Sequence, residues 1–207
     1  MATLKEAIKA VLPHASKDRT LSILCAVKIT GNEVWATDRH TLARGVYVLP
    51  KAGDSDPTYP DEFLLDAKDA AEVVKCKSEV FSITRDTGSK VTFNMQNGST
   101  MMFDTIEGDY PSIGRLIPDG EPVEIGRVGL LSTHLDRFSS KHFPRHAFPR
   151  HAFPRHAPHN RSSVALRFQF YGETKPAKVT ISEAPWYMGL IMPLRTPDWS
   201  GRTTNHA

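Results

Sequence analysis

The chain has 207 residues, 40% of them hydrophobic and 24% charged, which is an ordinary globular composition with enough apolar residues for a core. The formal charge of +3 permits contacts with phosphate groups but does not by itself require them. The apolar runs are much shorter than a membrane span, and residues 1–16 contain charged side chains where a signal peptide has an apolar core. We therefore expect a cytoplasmic protein that does not enter the membrane.

The first 50 residues predict a helix followed by three antiparallel strands. Leu4, Ile8 and Val11 lie on one helical face, and Pro13 ends the helix. The strands are predicted at residues 22–30, 34–37 and 41–48.

The same order of elements recurs twice along the chain. After a linker rich in Pro, Gly and Asp at 50–60, a second unit is predicted, with strand 63–65, a helix capped by Asp66 that runs to residue 74, and strands 80–84, 90–94 and 99–105. The third unit is predicted to contain strand 123–125, helix 130–138 and strands 163–171, 177–181 and 186–192.

Repeated strand-helix-three-strand units predict an α+β fold with antiparallel sheets and helices on one face. Units 1–50 and 60–118 form a pair, so that residues 1–118 are predicted to be a complete domain. Residues 119–195 then form a half-domain without a mate, and residues 196–207 form a tail.

Three motifs occur in a specific order. They are Ala36-Thr37-Asp38-Arg39-His40-Thr41-Leu42-Ala43, then Glu107-Gly108-Asp109-Tyr110-Pro111 leading to Arg115-Leu116-Ile117-Pro118, and lastly Ile191-Met192-Pro193-Leu194-Arg195. Together they resemble the bacterial DNA sliding clamp, the beta subunit of DNA polymerase III, in a shortened, phage-type version. Arg39 stands where the clamp motif has glycine, Thr41 where it has arginine, and Leu194 where it has methionine.

The resemblance implies that residues 1–118 correspond to the middle domain of the clamp and residues 121–195 to the second half of its last domain. In that family these parts build a cleft that binds short peptides of polymerases and of the clamp loader. The implied cleft residues are Leu24, Thr37, His40, Leu42, Pro111, Arg115, Leu116, Leu190, Met192, Pro193, Leu194 and Arg195.

Each of these residues taken alone is more often a core or turn residue, and it is their ordered combination that favours a cleft. Buried aliphatic anchors with a few polar groups are what peptide capture requires. His40 has no carboxylate or second histidine at ligand spacing, so we assign it to the cleft wall and expect no metal and no cofactor. Cys25 and Cys76 lack the paired spacing of a zinc site or a disulfide framework.

The resemblance also implies that the helices face double-stranded DNA and contact its phosphates without reading sequence. Basic residues on the predicted helices are common on any solvated helical face, and the resemblance makes DNA contact the better interpretation. The candidates are Lys5, Lys9, Lys68, Lys75, Lys77, His134, Arg137 and Lys141.

Residues 142–160 repeat Phe-Pro-Arg-His-Ala, and proline at every fifth position predicts an extended insertion in the third unit. Two roles are open. The first, which we prefer, is phosphate binding by arginines; the second is weak metal capture by histidines. The arginines are Arg145, Arg150 and Arg155, and the histidines are His142, His146, His151, His156 and His159.

The sequence contains no phosphate-binding loop, nucleophile elbow or zinc-protease motif, so an enzyme is not expected. The leading hypothesis is a processivity factor that encircles DNA as a homo-oligomer and tethers the polymerase and the clamp loader through their peptides. The alternative is a decoy or regulator that keeps the cleft and binds polymerase peptides without forming a ring. The number of chains in a ring, and whether the tail at 196–207 covers the cleft, stay open.

Overall fold

The computed structural model describes residues 1–51, 56–86, 89–125, 128–143 and 165–194. Within these residues ten antiparallel strands form one sheet in the order β5-β6-β7-β4-β1-β2-β3-β10-β9-β8. In chain order the strands are β1 Ala26–Thr30, β2 Glu33–Thr37, β3 Thr41–Val46, β4 Phe63–Asp66, β5 Val80–Arg85, β6 Lys90–Met95, β7 Thr100–Ile106, β8 Leu166–Gln169, β9 Ala177–Ile181 and β10 Tyr187–Ile191.

The helices of the described residues begin at well-defined capping residues in the first two units. Thr3 and Glu6 form a capping box at the start of the first helix, and the Asp66 carboxylate accepts the Lys68 N–H at the start of the second. The α-helices are α1 Leu4–Val11, α2 Ala67–Lys75 and α3 Ser132–Leu135. Short 3₁₀-helices lie at Leu12–His14, Arg19–Cys25, Ile113–Leu116, Asp136–Phe138 and Ser140–His142.

The strands of the first unit occupy the centre of the sheet. The second unit joins them through β4, which pairs with β1, and the third unit joins them through β10, which pairs with β3. In the β3–β10 pair, Leu42 stands directly opposite Leu190. The predicted α+β class with antiparallel strands is confirmed, while the division into domains at residue 118 stays a prediction.

Three predicted elements differ from the observed ones by more than the length of a strand end. The first strand begins at Ala26 rather than at residue 22, because residues 19–25 form a 3₁₀-helix capped by Asp18. The helix predicted at 130–138 is α-helical only over Ser132–Leu135 and continues as a 3₁₀-helix. The strand predicted at 123–125 is wrong. Val123 donates one backbone hydrogen bond to Phe170 just beyond the end of β8, and a single bond does not make a strand ladder.

The two faces of the sheet carry different layers. On one face the main core packs α1, α2 and the Asp136–Phe138 turn against the strands. Gly45 of β3 lies so close to α1 that an added Cβ would be 3.1 Å from the Ala7 Cβ, so a small residue at both positions lets the helix approach the sheet. On the opposite face the chain after β7 crosses the sheet and covers a second, smaller apolar cluster.

Candidate peptide-binding cleft

The second apolar cluster forms the floor of the candidate cleft. It lies on the face opposite the helices because strand residues alternate between faces, so that Leu42 and Leu190 point away from α1 while Ala43 and Ile191 point toward it. The chain after β7 contributes Tyr110 to the cluster. The buried floor residues are Ala26, Trp35, Leu42, Leu64, Tyr110, Ile113 and Leu190.

The predicted cleft residues divide into a buried set and an exposed set. Leu24, Thr37, Leu42 and Leu190 are buried, with Leu42 and Leu190 both 3% exposed and opposite each other across β3 and β10. The others border the floor or follow it in the chain and are open to solvent to different degrees. They are His40, Pro111, Arg115, Leu116, Met192, Leu194 and the half-buried Pro193.

Exposed leucine and methionine side chains follow the floor residues Ile113 and Leu190 in the chain, and they are the feature that favours a docking surface. Leu116 is 49% exposed, Leu194 40% and Met192 38%. Large apolar side chains left in water beside a buried apolar cluster can gain free energy by covering a partner's apolar side chains. Arg195, predicted to belong to the same cleft, lies outside the described residues.

A corner between β2 and β3 holds the polar part of the cleft. Asp38 Oδ1 accepts hydrogen bonds from the backbone N–H of His40 at 3.1 Å and of Thr41 at 2.9 Å. The His40 carbonyl in turn accepts the Met192 N–H at 2.9 Å, which ties the chain leaving β10 to the corner. The first and third motifs therefore meet in space, although most of the chain separates them.

Arg137, which belongs to the third unit, binds two residues of this corner. Its Nη1 lies 2.5 Å from Asp38 Oδ2 and 2.6 Å from Thr41 Oγ1. Burial alone raises the pKa of Asp38, but the hydrogen bonds from Thr41 and Arg137 and the Arg137 charge outweigh it and lower that pKa. Arg137 is therefore engaged in an ion pair with Asp38, and its assignment to the DNA-facing side stays a prediction.

His134 packs against the outside of the corner. Its ring stacks on the His40 ring with centroids 5.4 Å apart, and it is buried rather than presented on a solvated helical face. Burial and then the Arg137 charge lower the pKa of His134, so that the ring is neutral at pH 7. The assignment of His40 to the cleft wall stays a prediction; among the described residues no group of three or more potential ligands could hold a metal ion.

Lys5 is a further correction on the helical face. It is 9% exposed, and its Nζ donates hydrogen bonds to the carbonyls of Cys76 at 2.6 Å and of Ser78 at 3.1 Å, with Glu79 at 3.5 Å. The predicted exposure of Lys5 is wrong because the chain leaving α2 lies over this part of α1. The periodicity of one helix contains no information about a segment of another unit that packs against its polar face.

The remaining basic candidates are accessible to different degrees. Lys68, Lys75, Lys77 and Lys141 are exposed and Lys9 is half-buried. Lys75 pairs with Glu72 at 2.7 Å, and Lys141 pairs with Asp136 at 2.6 Å. Of these five lysines, Lys9, Lys68 and Lys77 have no carboxylate oxygen within 4 Å among the described residues.

Sequence reasoning missed several residues of the floor. Trp35, Leu64 and Ile113 lie in the same cluster as the predicted Leu42 and Leu190. Alternation along β2 and β4 separates Trp35 and Leu64 from the main core, and this signal could have assigned them to the opposite face. What it could not show is that residues 110–113 would fold back over that face.

Two further observations complete the description of the surface. A separate groove of 530 Å³ lies beside β4 and β7 and shares Leu64 with the cleft floor, but its rim is polar, and of the predicted cleft residues it contains none. Among the described helices none is long and apolar enough to span a bilayer. The tail at 196–207 and the arginines Arg145, Arg150 and Arg155 lie outside the described residues.

The sheet with helices on one face is the fold of the bacterial DNA clamps. The chain matches the beta subunit of DNA polymerase III from Thermotoga maritima with a TM-score of 0.64 and 15% identity over 94% of this chain and 64% of that one. The beta sliding clamp of C. crescentus matches with a TM-score of 0.67 and 15% identity over 93% and 63%.

Sequence comparison also identifies a beta sliding clamp. The beta sliding clamp of Micrococcus luteus is 31% identical over 131 residues, which are 59% of this chain and 41% of that protein. No protein-family model matches the chain. The resemblance to bacterial sliding clamps is thus confirmed, and the chain has the clamp fold. It spans less than two thirds of the length of these relatives.

Proposed function

We propose that the protein is a DNA polymerase processivity factor of the sliding-clamp type, with no catalytic role of its own. It encircles double-stranded DNA as a homo-oligomer in the cytoplasm and binds linear peptides of the replicative polymerase and the clamp loader. Tethering raises the effective concentration of the polymerase at the primer end, so that processivity increases without new chemistry. The relation to beta sliding clamps supports this proposal.

The peptide-binding part of the proposal rests on the pairing of Leu42 with Leu190 in the cleft floor. The first residue belongs to the clamp-like motif of the first unit, and the second lies next to the terminal motif of the third unit. Neither unit has the complete floor alone. The candidate cleft therefore requires both units.

The DNA part is supported by the charges on the helical face. Lys9, Lys68 and Lys77 are the basic side chains of α1, α2 and the following loop that have no ion-pair partner among the described residues. Phosphate contacts of this kind are individually weak and independent of sequence, which allows movement along the duplex. The acidic residues Asp69 and Glu72 on α2 keep the attraction moderate.

The ring is supported by the edges of the sheet. In the described part of the chain β5 and β8 lie at its two ends, and Phe170, just after β8, accepts one backbone bond from Val123. Unpaired strand edges favour pairing with another chain. The alternative, a decoy that binds polymerase peptides without encircling DNA, has no observation of its own in its favour.

The peptide site is tested with Leu116→Asp. Leu116 is 49% exposed beside the floor, so the substitution should leave folding intact but place a charge where an apolar anchor binds. We expect at least a tenfold loss of affinity for a fluorescent peptide with leucine and phenylalanine anchors. Met102→Asp is the matched control, because Met102 is 62% exposed on β7 outside the cleft. Equal affinities of the two variants would refute the assignment of the cleft.

The ring is tested by native mass spectrometry and by retention on circular DNA. An oligomer that stays on nicked circles at high salt, and leaves after the DNA is linearised, is the expected result for topological binding. A monomer that dissociates equally from circular and linear DNA would refute the clamp function and favour the decoy.

A further inference from the structure

Arg39 occupies a strained position at the tip of the β2–β3 corner. Its φ is +79°, a left-handed conformation that glycine adopts freely and that a long side chain adopts at a steric cost. Among the described residues it is the one non-glycine residue with positive φ. Backbone strain of this kind persists where surrounding contacts determine the conformation, and it is common at binding sites.

The contacts that determine this conformation lie on both sides of Arg39. The Arg39 N–H donates to Thr37 Oγ1 at 3.3 Å, and the Thr37 hydroxyl donates to the Thr41 carbonyl at 2.8 Å. Asp38 accepts hydrogen bonds from the backbone N–H groups of His40 and Thr41, and its carboxylate forms an ion pair with Arg137. The corner is thus rigid, and it holds the Arg39 side chain outward into solvent.

The tip of the corner lies beside the cleft. The next residue, His40, accepts the Met192 N–H at 2.9 Å, and Met192 is one of the exposed apolar residues at the cleft. The pKa of Asp18 is lowered by its hydrogen bonds with Thr20 and, to a smaller extent, by the Arg39 charge. Arg39 thus immediately precedes the residue that binds the chain leaving β10, and its charge acts on Asp18, which caps the 3₁₀-helix Arg19–Cys25.

The guanidinium of Arg39 has no described carboxylate oxygen within 4 Å. In the corner region Asp38 pairs with Arg137, and Asp18 Oδ1 accepts hydrogen bonds from the Thr20 N–H and hydroxyl at 3.0 and 2.7 Å. An exposed guanidinium next to an apolar floor is suited to bind a carboxylate, since its planar fork matches the two carboxylate oxygens. Glycine at this position would supply the turn without the charge.

We propose that Arg39 is a specificity-determining residue of the cleft, which selects docking peptides that carry an Asp or Glu side chain beside their apolar anchors. This inference rests on the proposed peptide-binding function and adds the chemistry of the partner. The apolar floor supplies most of the affinity, and the Arg39–carboxylate pair discriminates between peptides with the same anchors. The rigid corner reduces the entropy that the pair loses on binding.

The test uses two fluorescent peptides with the same leucine and phenylalanine anchors, one with aspartate and the other with asparagine beside them. We expect the unmodified protein to bind the aspartate peptide about two- to fivefold more tightly at low salt, with a smaller difference at 1 M salt, since exposed pairs are weak and screened. In Arg39→Gly the two affinities should become equal while binding of the asparagine peptide is kept. Arg39→Gly should fold, because glycine adopts positive φ freely.

Arg167→Gln is the matched control, because Arg167 is exposed on β8 at the other end of the sheet and should leave the preference unchanged. Equal binding of both peptides by the unmodified protein, or a preference that survives in Arg39→Gly, would overturn the role of Arg39 while leaving the cleft intact. If the unmodified protein binds neither peptide, the proposed peptide-binding function fails as well. Arg39→Lys should retain part of the preference, since it keeps the charge but not the fork.

Discussion

Asp38 and Arg137 connect the first unit to the third through an ion pair of 2.5 Å. The Asp38 side chain is 10% exposed and the Arg137 side chain 24%, so water screens the pair only in part. Asp38 also accepts the backbone N–H groups that shape the β2–β3 corner. One carboxylate thus fixes both the local turn and the position of the chain segment that follows α3.

We predict that Arg137→Met destabilises the protein by about 1–3 kcal/mol, because removing the cation leaves a partly buried carboxylate without its partner. The free energy of unfolding from urea titration measures this, and Arg167→Met on exposed β8 is the control. In a double-mutant cycle with Asp38→Asn the coupling should reach about 1 kcal/mol. A coupling near zero would contradict the structural role of the pair.

This pair marks the limit of what the sequence predicts. Alternation and turn residues predict most of β1–β7, because each strand has one face against the main core. The assignment of Leu42 and Leu190 to the cleft comes instead from the resemblance to bacterial sliding clamps. Arg137, in contrast, looks like any basic residue on a solvated helical face, and its partner Asp38 comes from another unit. Contacts between units leave no periodic signal in either segment.

Lys5 illustrates the same limit on α1. The helical pattern places Lys5 and Lys9 among the polar positions, whereas the structure buries Lys5 and leaves Lys9 half-buried. Lys5 Nζ satisfies two carbonyls in the segment that follows α2. The two lysines of one short helix therefore have separate roles, which substitution can distinguish.

We predict that Lys5→Met lowers the stability of the fold, whereas Lys9→Met lowers the affinity for DNA. Lys5→Met leaves the carbonyls of Cys76 and Ser78 without their donor and should lower the free energy of unfolding by about 1–3 kcal/mol, with DNA affinity unchanged. Lys9→Met should change stability by less than about 0.5 kcal/mol and weaken DNA binding. Lys9→Met should release about one counterion fewer when it binds DNA, so its DNA affinity should depend less steeply on salt concentration. A loss of DNA affinity in Lys5→Met without loss of stability would argue against this assignment.

We predict that Gly189→Ala is strongly destabilising. An added Cβ at Gly189 in β10 would lie 2.3 Å from Phe138 Cε1, and Phe138 is fully buried in the main core. Overpacking of this kind costs about 1–3 kcal/mol. Thermal unfolding measures the loss, and Gly114→Ala, where the added Cβ meets no atom within 4 Å, is the control. Gly189→Ala combined with Phe138→Leu should be more stable than the sum of the two single losses predicts, because the smaller side chain makes room for the methyl group.

His14 is a buried neutral histidine at the contact between the first and third units. Its Nε2 lies 3.0 Å from the Tyr187 hydroxyl, and its ring packs edge-on against Phe138 with centroids 4.9 Å apart. Burial, and then the charge of Arg137, lower the pKa of His14 to about 3. The unfolded chain keeps the ordinary histidine pKa of about 6.5.

We predict that His14 makes the protein less stable as the pH falls. Between pH 6.5 and 3 the unfolded state binds a proton at this histidine and the folded state does not, so unfolding is favoured by up to about 1.4 kcal/mol per pH unit. From pH 7 to pH 5 this is a loss of about 2 kcal/mol. His142, whose pKa burial lowers to about 4, is only half-buried and adds a smaller loss because water screens it, so the test compares urea unfolding of the unmodified protein and of His14→Gln across this range. The pH dependence should be shallower in His14→Gln by about one proton, and equal slopes would show that His14 is protonated in the folded protein.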